Sequence, residues 1–484
     1  MVSTPRERSR IDRFGNRGQW DAEIERGLGG SYGVAPVMKL DSWITRNAQS
    51  LLRREDATSF EQSPPPNDFP TIEVDSSQTF QTMEGFGFAL TGGSASLIAG
   101  LGPGDRATLL RELFGPGEES IGLSCLRVSI GASDLGRVSF SYCDTAPGIT
   151  DPTLQGFNLG AGDPEVVPVL QEILAINPSV KIIASPWSAP PWMKTSGSSV
   201  AGRLKPEFYA AYARYFVKYV EAMRDHSIQI SGITPQNEPH NPKNDPSMLM
   251  SATEQADFIG NHLGPALRKA APDTEIFCWD HNCDEPDFPL AVLADERARD
   301  HVSGVAWHLY MGAADAMSRV RAQYPQKKVY FTEQWVFSGD DFAGALRWHT
   351  KNVVIGTMRN WSQVVLEWNL ASDPACSLHT PGGAEGALGG VTIGKTIGRN
   401  PGYYLMAHSG KFIRPGSVRI ASTEPAQLLN VACVTPLNQI VMGVLNDNSE
   451  LKRFNVAYQN MYATMELDPG AVATLRWPKA LETA

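Results

Sequence analysis

Between residues 83 and 413 short β-prone runs alternate with stretches of helical periodicity, and the number of those runs restricts the fold more than any other feature of the chain. The runs are MEGFGFAL (83–90), LSCLRVSIG (123–131), KIIASPW (181–187), SGITPQNE (231–238), EIFCWDHN (275–282), VSGVAWHLY (302–310), KVYFTEQW (328–335) and SQVVLEWNL (362–370). Helical patterns lie between them. In residues 205–226, Tyr212, Tyr215, Phe216, Tyr219 and Met223 recur at three- and four-residue spacing, one face of a helix. NPGYYLMAHSGKFI (400–413) supplies the eighth helix. Eight βα units over about 330 residues predict an α/β fold, a (β/α)8 TIM barrel with enlarged loops. A doubly wound open sheet is the competitor, but it normally needs fewer strands and a phosphate-binding glycine turn after the first of them. GFGFALTGG (85–93) lacks that spacing and reads as a close backbone turn.

Outside the barrel, PPPNDFPTIEVDSSQTF (64–80) on one side and SVRIAS (417–422), QIVMGVLND (439–447) and ATLRW (473–477) on the other alternate and turn like antiparallel strands. They predict a side β-sandwich built from both chain ends. The expected boundaries are a poorly structured extension over 1–35, N-terminal sandwich strands over 36–80, the barrel over 81–413 and C-terminal sandwich strands over 414–484. Residues 1–35 carry charge and glycine without the apolar core of a signal peptide. That reading leaves two compartments open, the cytoplasm, or an exported site reached with a leader that is not in this sequence.

A formal net charge of −10 argues against a nucleic-acid partner, which selects a basic face. No apolar run approaches the roughly 20 residues that span a bilayer, so stable membrane insertion is not expected. Neutral, hydroxyl-rich ligands suit such a chain, and 11 Trp and 13 Tyr can stack on sugars, although packing accounts for most of them. The six cysteines are too irregular for a disulfide framework or a zinc site and read mostly as free thiols. CWDHNC (278–283) mixes Cys, Asp and His, yet its polar groups fit the end of a strand better than a metal site, and no cofactor is expected.

Active sites of such barrels form at the carboxyl ends of the strands. Those ends offer Arg127 and Asp134, Trp187, Asn237 and Glu238, Asp280 and His281, His308 and Tyr310, Glu333 and Trp335, and Glu367, Trp368 and Asn369. Glu238 and Glu333 end strands four and seven, which face each other across the mouth. A glutamate taken alone there is more often half of a salt bridge. Two at matching strand ends, one behind Asn237, fit a retaining glycosidase, with one carboxylate as nucleophile and the other as general acid and then base.

GFGFALTGGSA, LRVSIGASD, SPWSAPPWMKT, PQNEP, HLY, FTEQW and EWNL, in that order over roughly residues 70–480, resemble glycoside hydrolase family 30. The resemblance implies a retaining β-glycosidase of the glucosylceramidase and β-1,6-glucanase kind, with Glu333 as nucleophile and Glu238 as acid/base. It also implies that Asn237 meets the sugar 2-hydroxyl, that Asp134 and Trp187 hold hydroxyls at the far rim, and that Trp368 floors the subsite. His308 and Tyr310 would flank the nucleophile, and Arg127 would keep it ionised. One stretch departs from the pattern. Glucosylceramidase-like members place a sugar-binding Asn near a Gly-Gly-Pro turn, whereas TPGGAEGALGGVTI (380–393) has Ala384 and Glu385 there. The sugar therefore stays open. The expected substrates are β-glucosides, β-1,6-glucan or glucosylceramide. The alternatives are the same mechanism on a β-xyloside or β-fucoside, and a carbohydrate-binding protein on an inactive hydrolase scaffold.

Overall fold

The structure, a computed structural model, describes residues 38–479, so the extension expected over 1–35 lies outside the described residues. Eight parallel strands close into a barrel: Gly85–Ala89, Cys125–Ser129, Lys181–Ser185, Gly232–Ile233, Glu275–Asn282, Val302–His308, Lys328–Glu333 and Val364–Asn369, hereafter strands one to eight. Each lies within one of the eight runs picked out in the sequence. They pair in chain order, and strand eight closes on strand one. The helices pack outside. Tyr209–Asp225 buries Tyr212, Tyr215, Phe216, Tyr219 and Met223, the face its spacing predicts, and Pro401–Ser409 follows strand eight.

Strand four is much shorter than its run. It ends at Ile233 because Pro235 and Pro239 lack the amide hydrogens a ladder needs, and the chain turns inward between them. The barrel interior is layered. At the bottom, Lys181 and Lys328 pair with Glu84, and Lys328 also reaches Glu275 at 2.9 Å. Above them Cys125, Ile183, Phe277, Ala306, Tyr330, Val364 and Leu366 form an apolar plug, with the Phe277 and Tyr330 rings stacked 4.1 Å apart. At Gly87 any Cβ would fall 1.8 Å from the Cys125 carbonyl oxygen, so strands one and two can approach only around a glycine.

Both chain ends build the side domain. Nine strands run in the order Arg53–Ser59, Lys39–Thr45, Val472–Pro478, Gln439–Asn446, Leu428–Val434, Val418–Ser422, Thr71–Thr82, Lys452–Tyr458 and Met461–Leu467. The sheet curls on itself. Glu61, just beyond one edge strand, exchanges two backbone hydrogen bonds of 2.8 Å with Tyr462 in the other. Leu40, Ile72, Leu428, Val456, Tyr458 and Trp477 are buried within it. Among the described residues no helix is long and apolar enough to cross a membrane.

Candidate active site

TPQNEP answers to the turn after strand four. Glu238 sits at φ +45°, an unfavourable backbone region for glutamate that persists only where neighbours hold it. The Asn237 amide donates to the Pro186 carbonyl at 2.8 Å, and the Glu238 amide donates to the Asp280 carbonyl at 3.0 Å. The turn is thus stapled to the ends of strands three and five. Strand five is itself distorted there. Trp279 and Asp280 have φ of +74° and +65°, and the pairing with strand six slips by one residue between Trp279 and His281. Such a bulge re-aims a side chain, and here it turns Asp280 into the barrel.

Asp280 is fully buried and bonded on every side. Its Oδ2 accepts from Arg127 Nη2 at 2.7 Å, Ser185 Oγ at 2.9 Å and Thr234 Oγ1 at 2.6 Å. Its Oδ1 accepts from Thr332 Oγ1 at 2.7 Å and faces His308 Nε2 at 3.1 Å. Burial alone would raise this carboxyl, but the Arg127 charge and these donors hold it well below the usual carboxylate range. Arg127 distributes the same charge upward, donating to Glu333 Oε2 at 2.5 Å and Asn237 Oδ1 at 2.7 Å. Behind it Trp187 and Trp368 stack at 5.0 Å, with the guanidinium 4.8 Å from the Trp187 ring.

The two glutamates meet over this layer. One carboxylate oxygen of Glu238, one of Glu333 and a ring nitrogen of His308 all lie within 4.8 Å of one another. Glu333 Oε1 accepts from the Tyr310 hydroxyl at 2.9 Å, and Glu238 Oε2 accepts from Asn241 Nδ2 at 2.7 Å. His308 Nδ1 stands 3.2 Å from Glu238 Oε1 and 3.6 Å from Glu333 Oε1. Burial disfavours a charged His308, but Glu333, Asp280 and Glu238 outweigh it and raise the imidazole to about 9. A cationic imidazole is a donor to the carboxylates around it, and a metal would have to displace its proton to bind there.

Burial raises Glu333, and the His308 and Arg127 charges only partly offset it. Burial also raises Glu238, but the His308 hydrogen bond and the neighbouring histidines bring it down to about 2. An acid catalyst needs a proton that this second shift withholds from Glu238 itself. His308, whose imidazole these carboxylates raise, can supply one, since its Nδ1 stands 3.2 Å from Glu238 Oε1. The trio titrates as a unit, and its proton count, rather than a single residue's, sets the reactive state.

The cavity above these groups has a volume of about 580 Å³. Asp134, Glu238, Tyr310, Glu333 and Trp368 line it, together with His281, Asn241, Trp335 and Ala384. Asn237, His308, Trp187 and Arg127 stand one layer behind, against the groups that do. Asp134 is buried, its Oδ1 lacks a hydrogen-bond partner, and burial with the Glu333 and Glu238 charges pushes it up to about 8. The departing loop closes this side: Thr380 donates to the Asp134 carbonyl at 3.0 Å, and Ala384 packs with Trp335 beside the Trp187 and Trp368 rings. Glu367 alternates outward from strand eight, where its Oε1 bonds His349 at 2.6 Å, away from the reacting pair. The six cysteines are free and buried, and Cys278 and Cys283 flank the bulge without touching the pocket.

Sequence reasoning placed Asp280 at a strand end without giving it a role, and it missed Asn241. Asp280 carried a signal, a carboxylate at a strand end. Asn241 lies in a loop three residues past Glu238 and carried none.

Two domain profiles cover most of the chain, the glycosyl hydrolase family 30 TIM-barrel domain over residues 83–413 and the family's beta sandwich domain over 416–475. The endo-1,6-beta-D-glucanase neg1 of Aspergillus fumigatus is 35% identical over 372 residues, 72% of this chain and 74% of that protein. The lysosomal acid glucosylceramidase of Mus musculus is 27% identical over 428 residues, 82% of this chain and 81% of that one. Among solved structures, the endo-beta1,6-glucanase BT3312 superposes with a TM-score of 0.83 at 32% identity, covering 91% of this chain and 99% of that one.

Proposed function

The chain belongs to glycoside hydrolase family 30 and is a retaining β-glycosidase acting on β-glucosidic linkages; from that premise we propose that it cleaves β-1,6-linked glucan within the chain, with Glu333 as nucleophile and Glu238 as acid/base. The roles of the two residues follow the family pattern of PQNEP and FTEQW, and the observation that supports a double displacement between them is the proximity of the two carboxylates. A pair of their oxygens less than 4.8 Å apart is compatible with the roughly 5–5.5 Å carboxyl spacing of retaining enzymes and closer than the about 6.5–9.5 Å of inverting ones. The choice of β-1,6-glucan is supported by the three curated relatives of 34–35% identity, each named as an endo-1,6-beta-D-glucanase.

In this mechanism the Glu333 oxygen attacks the anomeric carbon while the glycosidic oxygen leaves with a proton delivered through Glu238, replenished from His308. Arg127 and Tyr310 hold the nucleophile's two oxygens, which fixes its direction of attack. Glu238 then takes a proton from water, which opens the glycosyl-enzyme from the same face. Asn237 has its Oδ1 fixed by Arg127 at the back of the pocket, which leaves its amide nitrogen free for the sugar 2-hydroxyl in the role the family pattern gives it. Asp134 is protonated below about pH 8 and offers a donor as well as an acceptor to hydroxyls at the far rim.

The test is proton NMR of anomeric signals in the first minutes of β-1,6-glucan hydrolysis, with product sizes read in parallel. The β anomer should lead, and oligosaccharides of several lengths should appear early. Early α product would overturn the double displacement. Release of glucose alone, or cleavage of aryl β-glucosides and glucosylceramide without β-1,6-glucan, would overturn the internal glucan reading.

A further inference from the structure

A second cavity, of about 450 Å³, adjoins the catalytic pocket and shares Tyr310 and Trp335 as its wall. Its volume falls in the range of about 300–1,000 Å³ typical of small-ligand sites. Beyond the shared wall it is bounded by Phe337 and Trp348, 45% and 42% exposed, and by Asp340 and Asp341. Seven large apolar side chains are strongly exposed among the described residues, and the two aromatic ones both line this cavity. Single exposed aliphatics are ordinary on a surface, but two exposed aromatic side chains in one concavity next to an active site are not.

The Phe337 ring is held in place. Residues Val336–Phe337 pair with Ala387–Leu388 of the long loop after strand eight. A Cβ at Gly339 would come within 2.5 Å of the ring, and one at Gly386 within 2.7 Å, so two glycines from different loops close on its edges. The Phe337 ring is thereby packed along two edges while 45% of the residue stays exposed. Trp348 projects from the helix Phe342–His349, whose first turn is capped by Asp341 accepting from the Gly344 amide at 2.8 Å.

We propose that this cavity is a distal subsite that holds a further glucosyl unit of the chain being cleaved, stacked on Trp348 and Phe337 with its hydroxyls donated to Asp340 and Asp341. The inference rests on the reading of a glucan chain as substrate. The chemistry selects the occupant: aromatic faces accept the C–H faces of a pyranose, carboxylates accept from hydroxyls, and no lysine or arginine lines the cavity to attract an anion. Adjacency across Tyr310 and Trp335 sets the path, since a chain that leaves the catalytic pocket over Trp335 reaches this space next. It also gives the loop after strand eight a role, since Gly386 closes on the Phe337 ring and Ala387–Leu388 pair with Val336–Phe337.

The experiment compares wild type with Trp348→Ala and with the double variant Phe337→Ala/Trp348→Ala. The substrates are an aryl β-glucoside, which fills only the catalytic pocket, and β-1,6-linked gluco-oligosaccharides of two to six units. Wild-type kcat/KM should rise with chain length. The double variant should lose about tenfold on the longest oligosaccharides and stay within about twofold of wild type on the aryl glucoside. Calorimetric binding of the hexasaccharide to Glu333→Gln with and without the double substitution should show the same loss. Equal loss on both substrates, or none on the hexasaccharide, would overturn the subsite. A wild type whose kcat/KM does not grow with the length of any β-linked gluco-oligosaccharide would overturn it too, while leaving Glu238 and Glu333 in their roles. Full activity of Glu333→Gln on the aryl glucoside would instead sink the underlying catalytic reading.

Discussion

Glu238 takes donors from a loop amide and an imidazole, whereas Glu333 is gripped by a guanidinium and a phenol, and this difference separates what happens when each is removed. Glu238→Ala should lower kcat on unactivated substrates by about 10²–10⁴-fold, the range of a general acid. Azide should restore turnover of an aryl β-glucoside with a good leaving group and yield the β-glucosyl azide, because two displacements still occur. With Glu333→Ala, azide should give the α-azide, since one displacement inverts the centre. Identification of the azide anomer by NMR checks both, and exchanged products would reverse the roles. Asp134 makes a separate prediction about stability. Its folded pKa of about 8 lies above its ordinary 3.8, so the protonated folded form is favoured and stability is lost as pH rises from about 4 to 8. Melting temperatures of Asp134→Asn relative to wild type should therefore climb across that window; a constant difference would mean that the carboxyl is not buried neutral. Residue chemistry was legible where it sat at strand ends, as Glu238 and Glu333 did. The proton on His308 was not, because it depends on three carboxylates converging from different strands.

At the scale of elements, one side chain ties the barrel mouth together. Asp280 on strand five bonds Arg127 on strand two, Ser185 on strand three, Thr234 just past strand four, His308 on strand six and Thr332 on strand seven. Removing it leaves the Arg127 charge buried and short of a partner, a change that costs about 3–5 kcal/mol in comparable buried pairs. Asp280→Ala should lose about that much in urea unfolding, and kcat/KM should fall with it as Arg127 and His308 drift from the glutamates. Asp280→Asn retains hydrogen bonding and should lose less stability. A mutant of wild-type stability would show that the hub is dispensable. All eight barrel strands could be read from apolar runs, since parallel strands buried on both faces need such runs. The length of strand four and the bulge in strand five could not. Both arise where the chain leaves regular pairing to aim Glu238 and Asp280, and no local pattern announces a left-handed residue at Glu238, Trp279 or Asp280.

Over the whole molecule, the side domain joins the barrel through groups that sequence patterns do not reveal. Thr71–Thr82, Val418–Ser422, Gln439–Asn446 and Val472–Pro478 were readable from alternation, but the middle strand Leu428–Val434 was not picked out, Arg53–Ser59 is a charged edge strand with no apolar face, and the hairpin Lys452–Leu467 turns on Gln459 and Asn460, both at positive φ, in place of a glycine. One joint is His408 on the last barrel helix, buried between strands from both chain ends. Its Nε2 meets Thr45 Oγ1 at 2.8 Å from the N-terminal strands, and its Nδ1 meets Thr474 Oγ1 at 2.9 Å from the C-terminal ones. Thr474 spends its hydroxyl proton on the His408 carbonyl and so accepts from Nδ1–H; Nε2 is then the acceptor for the Thr45 hydroxyl, and the ring is neutral. Burial lowers its pKa to about 3 from 6.5. A depressed base binds its proton more readily when unfolded, so this joint's contribution is whole above pH 6.5 and is lost as pH falls toward 3. Asp134 acts in the opposite sense over an overlapping window, which makes single variants necessary. In calorimetry at constant ionic strength, His408→Gln, which keeps a donor and an acceptor but does not titrate, should start less stable than wild type at pH 7 and converge on it by pH 4. Parallel curves for the two proteins would mean that His408 is not the acid-sensitive pin between the barrel and the chain-end sheet.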